Sequence, residues 1–252
     1  MKRRWLIAAA LVSALVSAVL YAPPAHLYAW LGSPDPRVAV NGLSGSLAKG
    51  DAARVQWQNR IVAEDLEWSW NPWQLFLLRM AFDLRFGGPA SGEAAAGITP
   101  TGQLRLANTR VVAEVSNLLE TAGYGSLPVQ GRVVIQLREA RVSRAGKPLG
   151  LDGRAEALGL AWTIGQSALQ LGDFSADVRT EDDGALVADI ASSADNPIEA
   201  TGEATLRPDG VYETHVRVRA RDNAPEQTRN LLRLIGRPDN QGYYHLRQRG
   251  NL

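Results

Sequence analysis

Residues 197–220, PIEATGEATLRPDGVYETHVRVRA, leave the chain little choice of fold. Ile198, Ala200, Gly202, Ala204 and Leu206 alternate with Thr201, Glu203, Thr205 and Arg207. After Pro208-Asp209-Gly210 the pattern resumes, with Tyr212, Thr214, Val216 and Val218 set against Glu213, His215, Arg217 and Arg219. Successive side chains of a strand point to opposite faces, so a period of two describes a half-buried strand, whereas a helix needs a period near 3.6. Proline, aspartate and glycine between two such arms supply a turn. The segment reads as a β-hairpin with one apolar and one polar face.

The same alternation recurs. In residues 131–142, Val133, Ile135 and Leu137 face one way and Arg132, Gln136 and Arg138 the other, with Val134 breaking the polar side. A second hairpin follows from FSADVRTEDDGALVADIA, where Asp183-Gly184 suits a tight turn. Further strands are expected at 103–115, 151–163 and 167–179, a spacing that indicates an extended, largely antiparallel sheet. Helices are few. Asn223-Ala224-Pro225 ahead of EQTRNLLRLIG reads as a cap, a first-turn proline and a short helix ended by Gly236. Residues 116–125 look like one or two helical turns stopped by Gly123, and residues 71–82 are open between a short helix after Pro72 and a buried strand.

Glycine punctuates the strands. Apolar-x-Gly-x-apolar occurs around Gly45 and Gly131, and alanine-substituted versions surround Gly153 and Gly202. A glycine in place of an inward side chain marks a bulge, a bend or the close approach of another backbone, and strong sheet curvature is the natural consequence. The first instance lies in NGLSGSLAKGDAARVQW, residues 41–57, which superficially suggests a phosphate loop. Its spacing fits neither Gly-x-x-x-x-Gly-Lys-Ser/Thr nor Gly-x-Gly-x-x-Gly, since Lys49 precedes Gly50 and Asp51 stands where a hydroxyl is needed. Lys49-Gly50-Asp51 is read instead as the turn into a strand through Val55 and Trp57.

At the N-terminus, Lys2, Arg3 and Arg4 precede the uncharged run WLIAAALVSALVSAVLYA, residues 5–22. As a helix it would be about 27 Å long, near the thickness of a bilayer's hydrocarbon core. Trp5 and Tyr21 bracket it as interfacial aromatics do, and the basic side is expected to stay cytoplasmic. A cleaved signal peptide would share the basic and apolar regions, but Leu20-Tyr21-Ala22 before Pro23 is a poor small-x-small site. Pro23, Pro24, Pro34 and Pro36 stiffen the exit. The expected organisation is a cytoplasmic flank and transmembrane anchor at 1–22, a proline-rich exit at 23–37 and a β-rich domain outside the cytoplasm at 38–252.

Composition and motifs argue against most chemistry. A net charge of +1 offers no concentrated basic face for nucleic acid, and the absence of cysteine removes disulfides, thiolate metal sites and a cysteine nucleophile. His26, His215 and His245 begin no metal-ligand spacing. Glu181, Asp182 and Asp183 lack the alternating ligands of a calcium loop, and Ser44 misses the Gly-x-Ser-x-Gly elbow by one position. Trp57, Trp68, Trp70, Trp73 and Trp162 either stack on a ligand or fill the core of a curved sheet, and the lack of interleaved basic residues favours the core. Neither a catalytic residue nor a cofactor is expected. A glycan hydrolase would need two inward carboxylates about 5–10 Å apart.

The order of features carries a resemblance. A basic and apolar start leads to Gly-Leu-Ser-Gly-Ser-Leu at 42–47, WSWNPWQL, Leu127-Pro128-Val129-Gln130-Gly131, GLDGRAEALGLAW at 150–162 and the closing LLRLIGRPDNQGYYHLRQRGNL at 231–252. Over nearly its whole length the chain resembles the protein N family of the bacterial type II secretion system, also called general secretion pathway protein N. The resemblance implies a single-pass inner-membrane protein with a periplasmic β-rich domain and no catalytic residues. It also implies contacts with other secretion subunits, the inner-membrane platform and the outer-membrane secretin being candidates. A broader likeness in strand style to AsmA-like envelope proteins implies, as the alternative, a curved apolar sheet that binds or transfers lipid.

Overall fold

The computed structural model describes residues 23–24, 37–72, 80–99, 101–121, 123–144, 148–164, 167–234 and 236–251. Lys2, Arg3, Arg4, Trp5, Tyr21, His26 and Trp73, and with them the expected anchor and most of the exit segment, lie outside these residues. Among the described residues no helix is long and apolar enough to cross a membrane. They form thirteen strands and two short helices, so the protein is mainly β, as the alternation predicts. The chain divides into two compact units, Met1–Ser91 and Gly92–Leu252.

The first unit holds β1 (Val38–Gly45), β2 (Lys49–Trp57), β3 (Arg60–Trp70) and β4 (Met80–Gly87), each antiparallel to the one before it. The glycine-rich stretch is the β1–β2 hairpin, with Gly45 opposite Gly50. Its turn is residues 46–48, where the Ser46 amide donates to the Lys49 carbonyl at 2.8 Å, so Lys49-Gly50-Asp51 opens β2 and is not the turn that the sequence suggests. The reason is Trp68. Its indole N–H donates to the Ser46 and Leu47 carbonyls at 3.0 and 3.2 Å, and a side chain at Gly50 would come within 2.4 Å of its ring. Of residues 71–82, which the sequence leaves open between helix and strand, 80–82 open β4 and 73–79 lie outside the described residues.

β5 (Ala90–Ile98) runs across the boundary between the units. The second unit continues with β6 (Leu104–Glu114), α1 (Val115–Thr121), β7 (Val129–Val142), β8 (Pro148–Ile164), β9 (Ser167–Thr180), β10 (Leu186–Ser192), β11 (Ile198–Leu206), β12 (Val211–Ala220), α2 (Glu226–Arg233) and β13 (Tyr244–Asn251). From β7 to β13 each strand pairs antiparallel with its predecessor in the sequence. Four connections use one turn device: at 99–103, 181–185, 207–211 and 239–243 the first amide donates to the fifth carbonyl and the fourth amide to the first carbonyl. The fourth residue is always glycine, with φ of 78°, 83°, 91° and 82°, a left-handed conformation that other residues adopt only with strain. Asp183-Gly184 thus turns the expected hairpin, within a loop that spans 181–185.

α1 ends as predicted at Gly123, whose amide bonds the Glu120 carbonyl while that of Tyr124 bonds Leu119, a closure that needs the left-handed glycine. α2 starts differently from the expectation. Pro225 is its N-cap, in an extended conformation with no side-chain cap, and Asn223 stands outside it. The Pro225 carbonyl itself accepts the first helical amides, from Thr228 and Arg229. Leu232 and Thr228 point inward, and Leu232 joins Ile198, Ala200, Val218 and Tyr244 in the core cluster of this unit.

Candidate functional site

The registers of the second unit separate its sheet into two unlike faces. On one, successive cross-strand partners are Val111, Ile135, Ala155, Ala176, Ile190, Gly202, Val216 and Leu246, a row across eight strands without a charged or hydrogen-bonding side chain. The adjacent row, Ala113, Val133, Ala157, Phe174, Ser192, Ala200, Val218 and Tyr244, is nearly as apolar. α2 lies over the β11–β13 end and makes the core there. Away from it, Ile135, Ala155, Ala176 and Ile190 are half-buried.

The opposite face is polar. One row reads Arg110, Gln136, Arg154, Asp177, Asp189, Glu203, His215 and Arg247. Charges of opposite sign stand together through its interior: Arg154 bonds Asp177 and Glu156 at 2.9 Å, Arg179 pairs with Glu181 and Asp189, and Arg138 reaches Asp152 at 2.5 Å. The two carboxylates hold the Arg154 guanidinium above its ordinary value, Glu156 most strongly. These pairs are solvent-exposed, so each adds little stability and the face acts as a patterned, hydrated surface.

The expected strand glycines serve two purposes. At Gly131 the ladder bulges: it alone stands between Gln130 and Arg132, whereas Gly159 and Leu160 intervene between their partners on β8. At Gly153 and Gly202 a backbone comes close. A side chain there would approach the carbonyl oxygens of Gln136 and His215 at 2.4 Å. Gly45 sits at φ 79° beside the first hairpin's turn.

A polar clamp ties β13 to its neighbours. The Tyr243 hydroxyl donates to Glu199 Oε1 at 2.7 Å, Arg219 Nε donates to Glu199 Oε2 at 2.9 Å, and the guanidinium carbon of Arg219 lies 4.5 Å from the Tyr243 ring centre. The hydroxyl first, and Arg219 next, hold the Glu199 carboxyl below the usual carboxylate range, while the same bond raises the Tyr243 phenol. Close by, His245 Nε2 lies 2.8 Å from Asp239 Oδ2, which lowers the Asp239 carboxyl with help from the Tyr243 amide.

Neither face assembles chemistry. His215 and His245 are exposed, with ring centres 5.8 Å apart, and among the described residues no cluster of histidines and carboxylates is placed to hold a metal ion. Glu181, Asp182 and Asp183 form an exposed loop tip. The tryptophans fill the expected core role only in part: Trp57 is 37% exposed, Trp68, Trp70 and Trp162 are half-buried, and the Trp68 ring packs on the β1–β2 turn. Sequence reasoning missed β13 and the clamp, although Tyr244, Leu246 and Gln248 alternate with His245, Arg247 and Arg249 as plainly as any strand.

The described strands of the second unit thus define a large antiparallel sheet with one apolar and one ion-paired face. The model of the family described as type II secretion system (T2SS), protein N, matches residues 36–247, and the chain belongs to that family. Three relatives carry the name type II secretion system protein N. That of Aeromonas hydrophila is 28% identical, with all of both chains covered. That of Vibrio cholerae serotype O1 is 25% identical over 94% of each chain, and that of Klebsiella pneumoniae is 24% identical over 99% of this chain and 97% of its own. No solved structure matches the chain at the same stringency. The family is named for a secretion apparatus, not for a catalysed reaction, and the chain is accordingly a type II secretion component and not an enzyme.

Proposed function

We propose that this chain is a non-enzymatic assembly component of the type II machinery, anchored in the inner membrane by residues 5–22 and using its periplasmic sheet to contact other secretion subunits. Membership of the protein N family over residues 36–247 carries this reading. Lys2, Arg3 and Arg4 ahead of the apolar run support the orientation, since basic flanks stay cytoplasmic. A periplasm-active reporter fused after residue 252 is expected to be active, and inactive when the basic flank is reversed in sign. Deleting the gene is expected to impair secretion of type II substrates while general export continues. Normal secretion in the deletion strain would remove the required role.

The apolar row from Val111 to Leu246, half-buried up to its exposed last member, favours a second reading, in which the sheet binds or transfers lipid. Ile135 stands in that row and is not a member of the core cluster. Phospholipid co-purifying with the protein, and lost in Ile135→Asp without loss of fold, is the expected result. Protein free of lipid when prepared from membranes would dismiss it.

A further inference from the structure

β13 hydrogen-bonds to β12 along one side, and among the described residues no strand lies along its other side. Such an edge presents a row of unpaired N–H and C=O groups that can take up another strand. Its side chains are also ordered by sign. On the polar face His245, Arg247 and Arg249 stand opposite Arg217, His215 and Glu213. In the interior of this face Arg138, Arg154 and Arg179 each pair with a carboxylate, whereas β13 itself carries no acid. Arg249 lies 3.3 Å from Glu213, which Arg207 also approaches at 3.5 Å. Arg247 meets only the imidazole of His215, at 3.4 Å, with no carboxylate in ion-pair range among the described residues. On the other face Leu246 is 40% exposed.

We propose that the free edge of β13 docks an extended segment of another protein chain, which adds as a further strand and places acidic side chains, two residues apart, opposite His245, Arg247 and Arg249. Main-chain hydrogen bonds would supply affinity and the alternating side chains specificity, as in strand addition generally. Opposite charges facing each other across strands are favourable and like charges unfavourable. A second copy of the same edge is thereby disfavoured: an antiparallel pairing centred on Arg247 would set Arg247 against itself and His245 against Arg249. The apolar positions between the acids would extend the row that ends at Leu246.

This inference rests on the reading of the chain as a contact-making component, and its test is separate from the deletion phenotype. The probes are eight-residue peptides alternating valine with glutamate, valine with lysine, and the glutamate peptide with a central proline. Each is added to the purified full chain in detergent while amide hydrogen exchange is followed. The glutamate peptide is expected to slow exchange of alternate amides between Tyr244 and Asn251, and the lysine and proline peptides are not. In R247E/R249E the glutamate peptide is expected to bind about tenfold more weakly, and the lysine peptide to gain protection at the same amides. That gain shows that the variant is folded. Equal protection by both peptides, protection away from β13, or no protection at all would overturn the edge proposal. In cells, normal secretion by R247E/R249E alongside a defective deletion strain would overturn it too, and would leave the assembly role standing.

Discussion

Glu199 concentrates the electrostatics that hold the last strand. Its two oxygens are shared between the Tyr243 hydroxyl and the Arg219 guanidinium, and both bonds favour the carboxylate over the acid. Because folding lowers the Glu199 pKa, the unfolded chain binds that proton first as pH falls. The stabilisation is complete above the usual carboxylate range and is lost as pH drops through the depressed folded value. Asp239, lowered chiefly by His245, follows the same sign. Tyr243→Phe is expected to cost about 1–2 kcal/mol near neutral pH, since it removes a hydrogen bond to a charged acceptor. Denaturant midpoints measured from neutral pH downward should show the two proteins converging in acid. A gap that stays constant with pH would mean that the hydroxyl does not act through the carboxylate.

Elements depend on where backbones meet. Gly202 lies between Ile190 and Val216, and a methyl group there would sit 2.6 Å from the Val216 Cα and 2.4 Å from the His215 carbonyl oxygen. Gly202→Ala is therefore expected to destabilise by about 1–3 kcal/mol, the range for overpacking that moves backbone. Leu232→Ala, which empties the contact of α2 with β11–β13, should cost about 2–5 kcal/mol. Chemical denaturation monitored by circular dichroism checks both. The β11–β12 hairpin and the strands at 103–115, 151–163 and 167–179 were legible because their alternation joins large apolar to charged residues. β5 was not, because ASGEAAAGI offers small side chains on both faces and the period has no amplitude. Val134, which spoils the polar side of β7, proves to be 7% exposed, so a broken pattern there marked a locally covered face. The start of α2 differs from the sequence pattern because Pro225 itself holds the N-cap position in extended conformation, which leaves Asn223 outside the helix with no amide to cap. Cross-strand rows were out of reach for another reason: each depends on registers, and the bulges at Gln130/Arg132 and Leu137/Glu139 shift them by amounts that alternation does not encode.

At the scale of the whole molecule the two units differ in what they bury. Among the described residues of the first unit, Ala52 is the one fully buried hydrophobic residue, whereas the second holds the cluster of Ile198, Ala200, Val218, Leu232 and Tyr244, the clamp at Glu199, and both described helices. Burial of apolar surface is what offsets chain entropy, and short segments without a core of their own do not fold. A fragment of residues 90–252 is therefore expected to unfold cooperatively by itself, and one of residues 37–91 to show no transition. Leu232→Ala supplies the internal control. Since Leu232 packs only against elements of the second unit in the core cluster, the substitution should lower the stability of the fragment by the same amount as in the full chain, within about 0.5 kcal/mol. A fragment with no cooperative transition, or one indifferent to Leu232→Ala, would show that this cluster is not what holds the sheet together.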